Sequence, residues 1–196
     1  MQRVVLASGN LGKLREIQAL AGDAFELVPQ SDFGVSEAEE TGLSFVENAL
    51  LKARHAAQHT GLPALADDSG LEVDALNGAP GIHSARYAGP AASDRENVDK
   101  LLHELKDTPE HLRRAHFQCV MVYLRHALDP APIIAQGTWE GRILNAPQGA
   151  GGFGYDPVFF VPTHRCSSAK LPAAVKNQLS HRGKALRKLL AEIAAG

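Results

Sequence analysis

The sequence predicts a mixed α/β fold, and three stretches of its 196 residues carry that prediction. Val4–Ala7 is a short apolar run broken by Ser8-Gly9-Asn10, after which Leu11, Leu14, Ile17 and Leu20-Ala21 recur at helical spacing. A strand, a tight turn and a helix in immediate succession open an α/β unit. Ala115–Arg125 and Ile133–Leu144 read as two strands around the turn-rich Leu128-Asp129-Pro130-Ala131-Pro132, the pattern of an antiparallel hairpin. Between them, Ala64–Ala66 forms a strand that delivers two adjacent carboxylates, Asp67 and Asp68, into a break at Ser69-Gly70.

The other elements follow in order. The first helix ends near Gly22, and Phe25–Val28 is a second strand stopped by Pro29. Residues 31–42 are acidic and loop-like. Ser44 with Glu47 three residues on is a capping-box signature for a helix running to His59. Residues 78–90, rich in Gly and Pro, predict a long surface loop, and Asp94–Leu105 an amphipathic helix. A glycine-dense stretch near Gln148 leads into an apolar Val158–Val161 strand, and Gly183–Ala194 closes the chain as a Lys/Arg-faced helix. With no repeat, low-complexity tract or linker, residues 1–196 are expected to form one domain.

Composition narrows the function classes. A hydrophobic content of 44% with 21% charged residues is that of an ordinary globular chain. A formal net charge of −2 gives no global basic field for nucleic acid, so an anionic ligand must be held by a local cluster of Lys and Arg. Two cysteines, Cys119 and Cys166, are too few for a disulfide framework or a zinc knuckle, which points to a reducing cytoplasm. The apolar run after Arg3 is too short for a signal-peptide core, and none approaches membrane-spanning length.

Five motifs carry chemistry. Asp67 and Asp68 at a strand end project to opposite sides, which suits Mg²⁺ ligation or a general base; the alternative is an Asp-Ser-Gly turn capping a strand. Ser8-Gly9-Asn10-Leu11-Gly12-Lys13 lies between strand and helix, where backbone N–H groups and a helix N-terminus cradle phosphate oxygens, although a plain turn with an exposed lysine has the same look. The spacing is not that of a P-loop. Gly149–Gly154 matches Gly-x-Gly-x-x-Gly, but Tyr155-Asp156-Pro157 and an apolar strand follow where a dinucleotide site needs a helix. Its glycines instead allow a loop to fold over a ligand, with Phe153 or Tyr155 offering a ring face to a base and Asp156 accepting from base N–H groups. His55 and His59 have helical metal-pair spacing but no third ligand, so a solvated helix face is the better reading. Finally, Ser180-His181-Arg182-Gly183-Lys184, following Lys176 and preceding the last helix, sets an imidazole beside a guanidinium, two donors suited to a base carbonyl, or else simply a basic surface. Glu37, Glu39 and Glu40 matter only if the fold brings one of them opposite Asp68; Lys52 in the Ser44 helix could by the same logic reach phosphates.

Taken in order, Ser8-Gly9-Asn10, Lys13, Glu40, Lys52, Asp67–Gly70, Gly78–Gly81, Phe153–Asp156, Lys176 and Ser180–Arg182 resemble the inosine/xanthosine triphosphate pyrophosphatase family along essentially the whole chain. Ser8 stands where many members carry Thr, and Tyr155 where some carry Trp. The resemblance implies an elongated mixed sheet flanked by helices, with two lobes around a central cleft, and a homodimer. It implies Mg²⁺-dependent hydrolysis of aberrant purine nucleotides (ITP, dITP, XTP) to the monophosphate and pyrophosphate, keeping them out of nucleic acid. By position, Asp68 looks like the general base and a metal ligand, with Glu40 the second metal-site acid. Ser8, Gly9, Asn10, Lys13, Lys52 and Ser69 look like the triphosphate cradle; Phe153, Gly154, Tyr155, Asp156, Lys176, His181 and Arg182 look like the base-and-sugar pocket. A pyrophosphatase for modified pyrimidines and a non-catalytic nucleotide sensor are the competing readings, and the intact acid pair speaks against the sensor.

Overall fold

The computed structural model describes residues 2–195. Its sheet has seven strands: β1 (Gln2–Ala7), β2 (Phe25–Pro29), β3 (Ala64–Val73), β4 (Arg114–Leu124), β5 (Ile133–Ile143), β6 (Phe159–Val161) and β7 (Cys166–Ser167), in the spatial order β2-β1-β3-β4-β5-β6-β7. The helices are α1 (Leu11–Ala21), α2 (Phe45–Thr60), α3 (Asp94–Glu104), α4 (Ala173–Leu179) and α5 (His181–Ala195). The sheet is mixed: β1 runs parallel to β2 and to β3, whereas β6 is antiparallel to β5 and to β7. The mixed α/β class expected from the sequence is the one observed.

The chain divides into two compact units. The first takes the residues up to Asp68, Cys119–Gly137 and those from His181 onward; the second takes Ser69–Gln118 and Thr138–Ser180. Strands β3, β4 and β5 each contribute residues to both.

In the first unit Val4–Ala7 of β1 and the adjoining stretches of β3 and β4 are buried on both faces, which is why they read as continuous apolar runs. Val4, Leu6, Leu65 and Met121 pack with Leu14 and Ile17 of α1 and Leu186 and Leu189 of α5. Val5, Ala7, Ala64, Ala66 and Val122 pack with Ala49, Ala53, Ala56 and Ala57 of α2, whose small side chains let that helix lie close to the sheet. Each fully buried Leu or Val contributes about 1.5–3 kcal/mol. The second unit has its own core of Leu71, Val73, Val98, Leu101, Trp139, Phe159 and neighbours, with the rings of Phe117 and Phe159 4.6 Å apart.

Several local expectations need correction. β3 does not break at Ser69-Gly70 but runs on to Val73, because Leu71 and Val73 bury in the second core and continue the strand's alternation. The acid pair therefore lies inside a strand, and the Asp-Ser-Gly turn is excluded. Ser44 does cap α2, accepting from the Glu47 amide, but the Glu47 carboxylate bonds the Leu43 amide and the Ser44 hydroxyl, not the Ser44 amide of a full capping box. A complete box stands instead at Ser93 and Glu96 before α3. The loop over residues 78–90 contains a 3₁₀ turn at Gly81–Arg86, and α4 was not anticipated. α5 begins at His181, so His181 and Arg182 form its first turn and do not precede it.

β4 and β5 are sheet neighbours joined by a short connection, so they pair antiparallel, since a parallel pair needs a crossover. Asp129 braces that connection: it accepts from the Arg125 amide at 3.0 Å, from Arg125 Nε at 2.9 Å and from the Ala131 amide at 3.0 Å. The Arg125 guanidinium, helped by those amides, holds the Asp129 carboxyl well below the usual carboxylate range despite burial. Asp129→Ala is expected to cost about 1–3 kcal/mol near neutral pH. The sign with pH follows from the depressed native pKa: this stabilisation is present above the unfolded value of about 3.9 and is lost as pH falls through the native one. Urea midpoints of wild type and variant should therefore converge in acid; a pH-independent gap would contradict the assignment.

Candidate active site

The register of β1 against β3 assembles the site. Val5, Leu6 and Ala7 pair with Ala64, Leu65 and Ala66, so the Ser8–Lys13 turn leaves β1 beside Asp67 and Asp68. Carboxyl ends of parallel strands are where open α/β sheets bind ligands. Strand periodicity then divides the acids. Asp67 shares a face with Leu65, on the side of α1 and α5; Asp68 shares the other face with Ala64 and Ala66, on the side of α2.

On the first side, Asp67 Oδ2 lies 3.2 Å from Lys13 Nζ and 3.4 Å from Arg182 Nε. Arg182 Nη1 also pairs with Glu16 of α1. Burial would push the Asp67 carboxyl up, but Lys13, Arg182 and Lys52 together outweigh it and hold it well below the usual carboxylate range. The Ser8–Asn10 turn is internally bonded: the Asn10 amide donates to Ser8 Oγ at 3.3 Å, and Asn10 Oδ1 caps α1 by accepting from the Lys13 amide at 3.0 Å. Gly9 lies between them, exposed.

On the second side, Lys52 Nζ lies 2.9 Å from Asp68 Oδ1 and 3.0 Å from Glu40 Oε1. Asn48, one turn earlier on α2, donates to Asp68 Oδ2 at 3.4 Å and accepts from the Gly42 amide at 2.9 Å, which ties the acidic loop down. His55, on the same helix, bonds the Ser36 carbonyl at 2.9 Å and anchors the other end of that loop. Burial pushes the Asp68 carboxyl above its ordinary value, a rise that Lys52 and Lys13 oppose without cancelling. Burial disfavours the Lys52 ammonium, but Asp68, Asp67 and Glu40 prevail and keep it charged. Two carboxylate oxygens converging on one positive charge are a donor set that a hard divalent cation fits.

His181 is buried at the head of α5, where β5 approaches it closely: a Cβ on Gly137 would fall 2.1 Å from the His181 carbonyl oxygen and 2.7 Å from the Ala185 nitrogen. Only glycine permits that packing.

In the second unit Asp156 is a hub. It accepts from the Phe153 amide at 2.9 Å, from Ser168 Oγ at 2.7 Å and from Lys176 Nζ at 2.5 Å. Lys176 Nζ also sits 4.9 Å from the Phe153 ring centroid. The Gly154 amide donates to Asp94 Oδ2 at 2.6 Å, and Phe153 and Gly154 line a cavity of about 540 Å³ together with Asp94, Val98 and Pro157. Tyr155 departs from its expected role as an open ring face: it is buried in the core, and its hydroxyl donates to the Ser84 carbonyl at 2.8 Å. Phe153 is the half-buried ring of the pair. Asp156 and Arg182 are likewise buried among ionic partners. Ser69 follows Asp68 in β3, half-buried.

The model of the Ham1 family matches residues 4–192. The chain belongs to the Ham1 family. Among Ham1 relatives, a dITP/XTP pyrophosphatase of Vibrio parahaemolyticus is 60% identical over all of this chain and 98% of its own length, and that of Pectobacterium atrosepticum is 61% identical over 97% of each. A HAM1 protein from Coxiella burnetii superposes with a TM-score of 0.91 at 50% identity over the whole of both chains. The Staphylococcus aureus Ham1 protein gives 0.87 at 40% identity over 99% of each.

Of the expected site residues, Ser8, Gly9, Asn10, Lys13, Glu40, Lys52, Asp68, His181 and Arg182 fall in the first unit, and Ser69, Phe153, Gly154, Tyr155, Asp156 and Lys176 in the second. Asn48, Glu16 and Ser168 escaped the sequence reading. The signal for the first two is helical spacing: Asn48 lies four residues before Lys52, and Glu16 three after Lys13, on the same faces.

Asp67→Asn removes the charge shared by Lys13 and Arg182 and leaves buried cations short of a partner. The expected loss is about 3–5 kcal/mol in urea unfolding. A near-wild-type midpoint would show that the pairs are not carrying the packing of α1 and α5 onto β3.

Proposed function

We propose that the protein is a Mg²⁺-dependent nucleoside triphosphate pyrophosphatase that hydrolyses aberrant purine nucleotides (ITP, dITP and XTP) to the monophosphate and pyrophosphate. The observation that carries this is the division of labour at Asp67-Asp68, in a chain that matches the dITP/XTP pyrophosphatases end to end. One lysine is held by each acid, and the phosphate-cradling turn leaves β1 alongside them.

Lys13, Lys52 and Arg182 face Asp67, Asp68, Glu40 and Glu16, three cations against four anions. A triphosphate cannot enter such a cluster without added positive charge. Glu40 and Asp68 are the residues that would hold Mg²⁺. When bound, the ion would neutralise phosphate charge and make the attacking water more acidic.

In this reading Lys13 and Lys52 exchange their carboxylate partners for phosphate oxygens, and the turn amides from Ser8 to Lys13 orient the triphosphate, with Ser69 contributing a hydroxyl. Asp68, its proton affinity raised by burial, takes the proton from a water that attacks the α-phosphorus. The new O–P bond replaces the α–β bridging bond, and pyrophosphate leaves. On the base side, Phe153 supplies a ring face, the Gly154 backbone closes against it, and Asp156 with Tyr155 fixes the loop that holds them. Lys176, His181 and Arg182 supply the positive donors. A 6-oxo group accepts from them, whereas a 6-amino group would set N–H against N–H, a mismatch that discriminates strongly. We further take the protein to be a cytoplasmic homodimer, in keeping with the family resemblance. Among the described residues no helix is long and apolar enough to cross a membrane.

With Mg²⁺, ITP, dITP and XTP should yield pyrophosphate as the first phosphate product, and chelation should abolish turnover. Orthophosphate as primary product would defeat the proposal, and tight ITP binding without hydrolysis would favour a sensor. Asp68→Asn should reduce kcat at least ~100-fold if Asp68 is the base. Turnover within a few-fold of wild type would take it out of the mechanism.

A further inference from the structure

We propose that Asp94, in the first turn of α3, is a positioning residue: its hydrogen bond to the Gly154 amide sets the seat of the Phe153 ring and with it the affinity for the purine base. The inference rests on the proposed function, in which Phe153 supplies the ring face for that base.

An acid in the first turn of a helix ordinarily serves the helix itself, by complementing its dipole and capping its amides. In α3 the neighbouring residues do this. Ser93 Oγ accepts from the Glu96 amide at 3.3 Å, and Glu96 Oε2 accepts from the Ser93 amide at 2.8 Å. Asp94 Oδ2 is engaged elsewhere, accepting at 2.6 Å from the amide of Gly154, 60 residues along the chain. A carboxylate that close to a backbone N–H makes a strong, charge-assisted hydrogen bond.

The helix is a firm base for that bond. Val98 and Leu101 are buried in the second core, and Asn97 donates to the Ala85 carbonyl at 3.2 Å and accepts from the Ala88 amide at 2.8 Å. The loop opposite is less closely packed, because the cavity of about 540 Å³ is lined by α3 on one side and by residues 150–154 on the other. Asp94 and Gly154 both belong to its wall, so their hydrogen bond joins the two sides. Phe153 is the residue this bond constrains. Its Cα lies between two planar peptide units, one carrying the Phe153 N–H and the other the Gly154 N–H. Asp156 Oδ2 accepts from the first at 2.9 Å, and Asp94 Oδ2 accepts from the second. Holding both planes restricts the backbone angles of Phe153 and hence the direction in which its ring leaves the chain. The Asp156 tie lies within the loop and moves with it, whereas the Asp94 tie refers the ring to a helix packed on the core.

The test compares wild type with Asp94→Ala, Asp94→Asn and, as a charge control, Asp99→Asn, at an acid of the same cavity wall that faces Arg95 at 3.8 Å. Hydrogen–deuterium exchange of peptides covering residues 150–156 is measured alongside binding of inosine 5′-monophosphate and of inorganic pyrophosphate, and kcat and KM for ITP. Asp94→Ala should speed exchange in the loop while α3 stays protected. It should weaken inosine monophosphate binding and raise KM about five- to tenfold, with kcat within about threefold and pyrophosphate affinity unchanged. Asp94→Asn keeps an oxygen acceptor and should recover most of the affinity, and Asp99→Asn should behave as wild type. If the alanine variant fails to fold, the asparagine variant decides: a smaller loss confined to the same ligand and loop supports the inference, and wild-type behaviour overturns it. Unchanged loop exchange in Asp94→Ala, equal losses for both ligands, or an equal effect of Asp99→Asn would also overturn it. Wild-type protein that binds no inosine monophosphate would overturn the proposed function and the inference together, whereas a failure confined to the comparison of variants overturns the inference alone.

Discussion

The alternation of β3 is the constraint on which the site depends. A strand buried on both faces normally carries nothing but apolar side chains, since each buried charge demands a partner. β3 places Asp67 and Asp68 in succession there, and the pleat sends them into different layers. Each layer must then supply its own cations. α1 and α5 provide Lys13 and Arg182 on one side, and α2 provides Lys52 and Asn48 on the other. Had the acids been separated by one more residue they would have shared a face, and a single layer would have had to neutralise both.

The charge balance of that cluster connects structure to chemistry. Every cation assigned to phosphate binding is held by a carboxylate in the structure described here. Under the proposed function, phosphate binding would be an exchange of partners by lysines already held in place, and it would alter the surroundings of Asp68. Lys52 is the principal cation opposing the upward push of burial on its pKa. In the proposed reaction, Lys52 moving to a phosphate would lessen that opposition to the upward push of burial on Asp68.

Much of this was legible in the sequence because it is local. The first α/β unit, the N-cap at Ser44, the opposite projection of the two acids and the non-helical exit from the glycine-rich loop all follow from neighbouring residues. What escaped depends on distant chain. Nothing near Tyr155 reveals that the Ser84 carbonyl, 71 residues earlier, claims its hydroxyl and turns the ring inward while Phe153 stays half-buried. Ser69-Gly70 looks like a break until Leu71 and Val73 are seen to bury in the second core. His181 and Arg182, expected to precede the last helix, form its first turn, where positive charge opposes the dipole. In the structure Asp67 and Glu16 offset that penalty, which makes the first turn of α5 tolerable.

The glycine-rich loop shows how a motif can be right in letter and wrong in meaning. In a dinucleotide fold its glycines admit a pyrophosphate to a helix N-terminus. Here a Cβ on Gly152, whose φ is +75°, would fall 2.0 Å from Asp156 Oδ2. The space is taken by a carboxylate of the protein itself, not kept open for a phosphate. That carboxylate accepts from the Phe153 amide, from Ser168 and from Lys176, so the loop is folded around an internal anion. An anion so enclosed repels a phosphate and attracts N–H groups and cations, which supports the proposed assignment of the loop to the base side of the ligand and of the phosphates to the turn that follows β1.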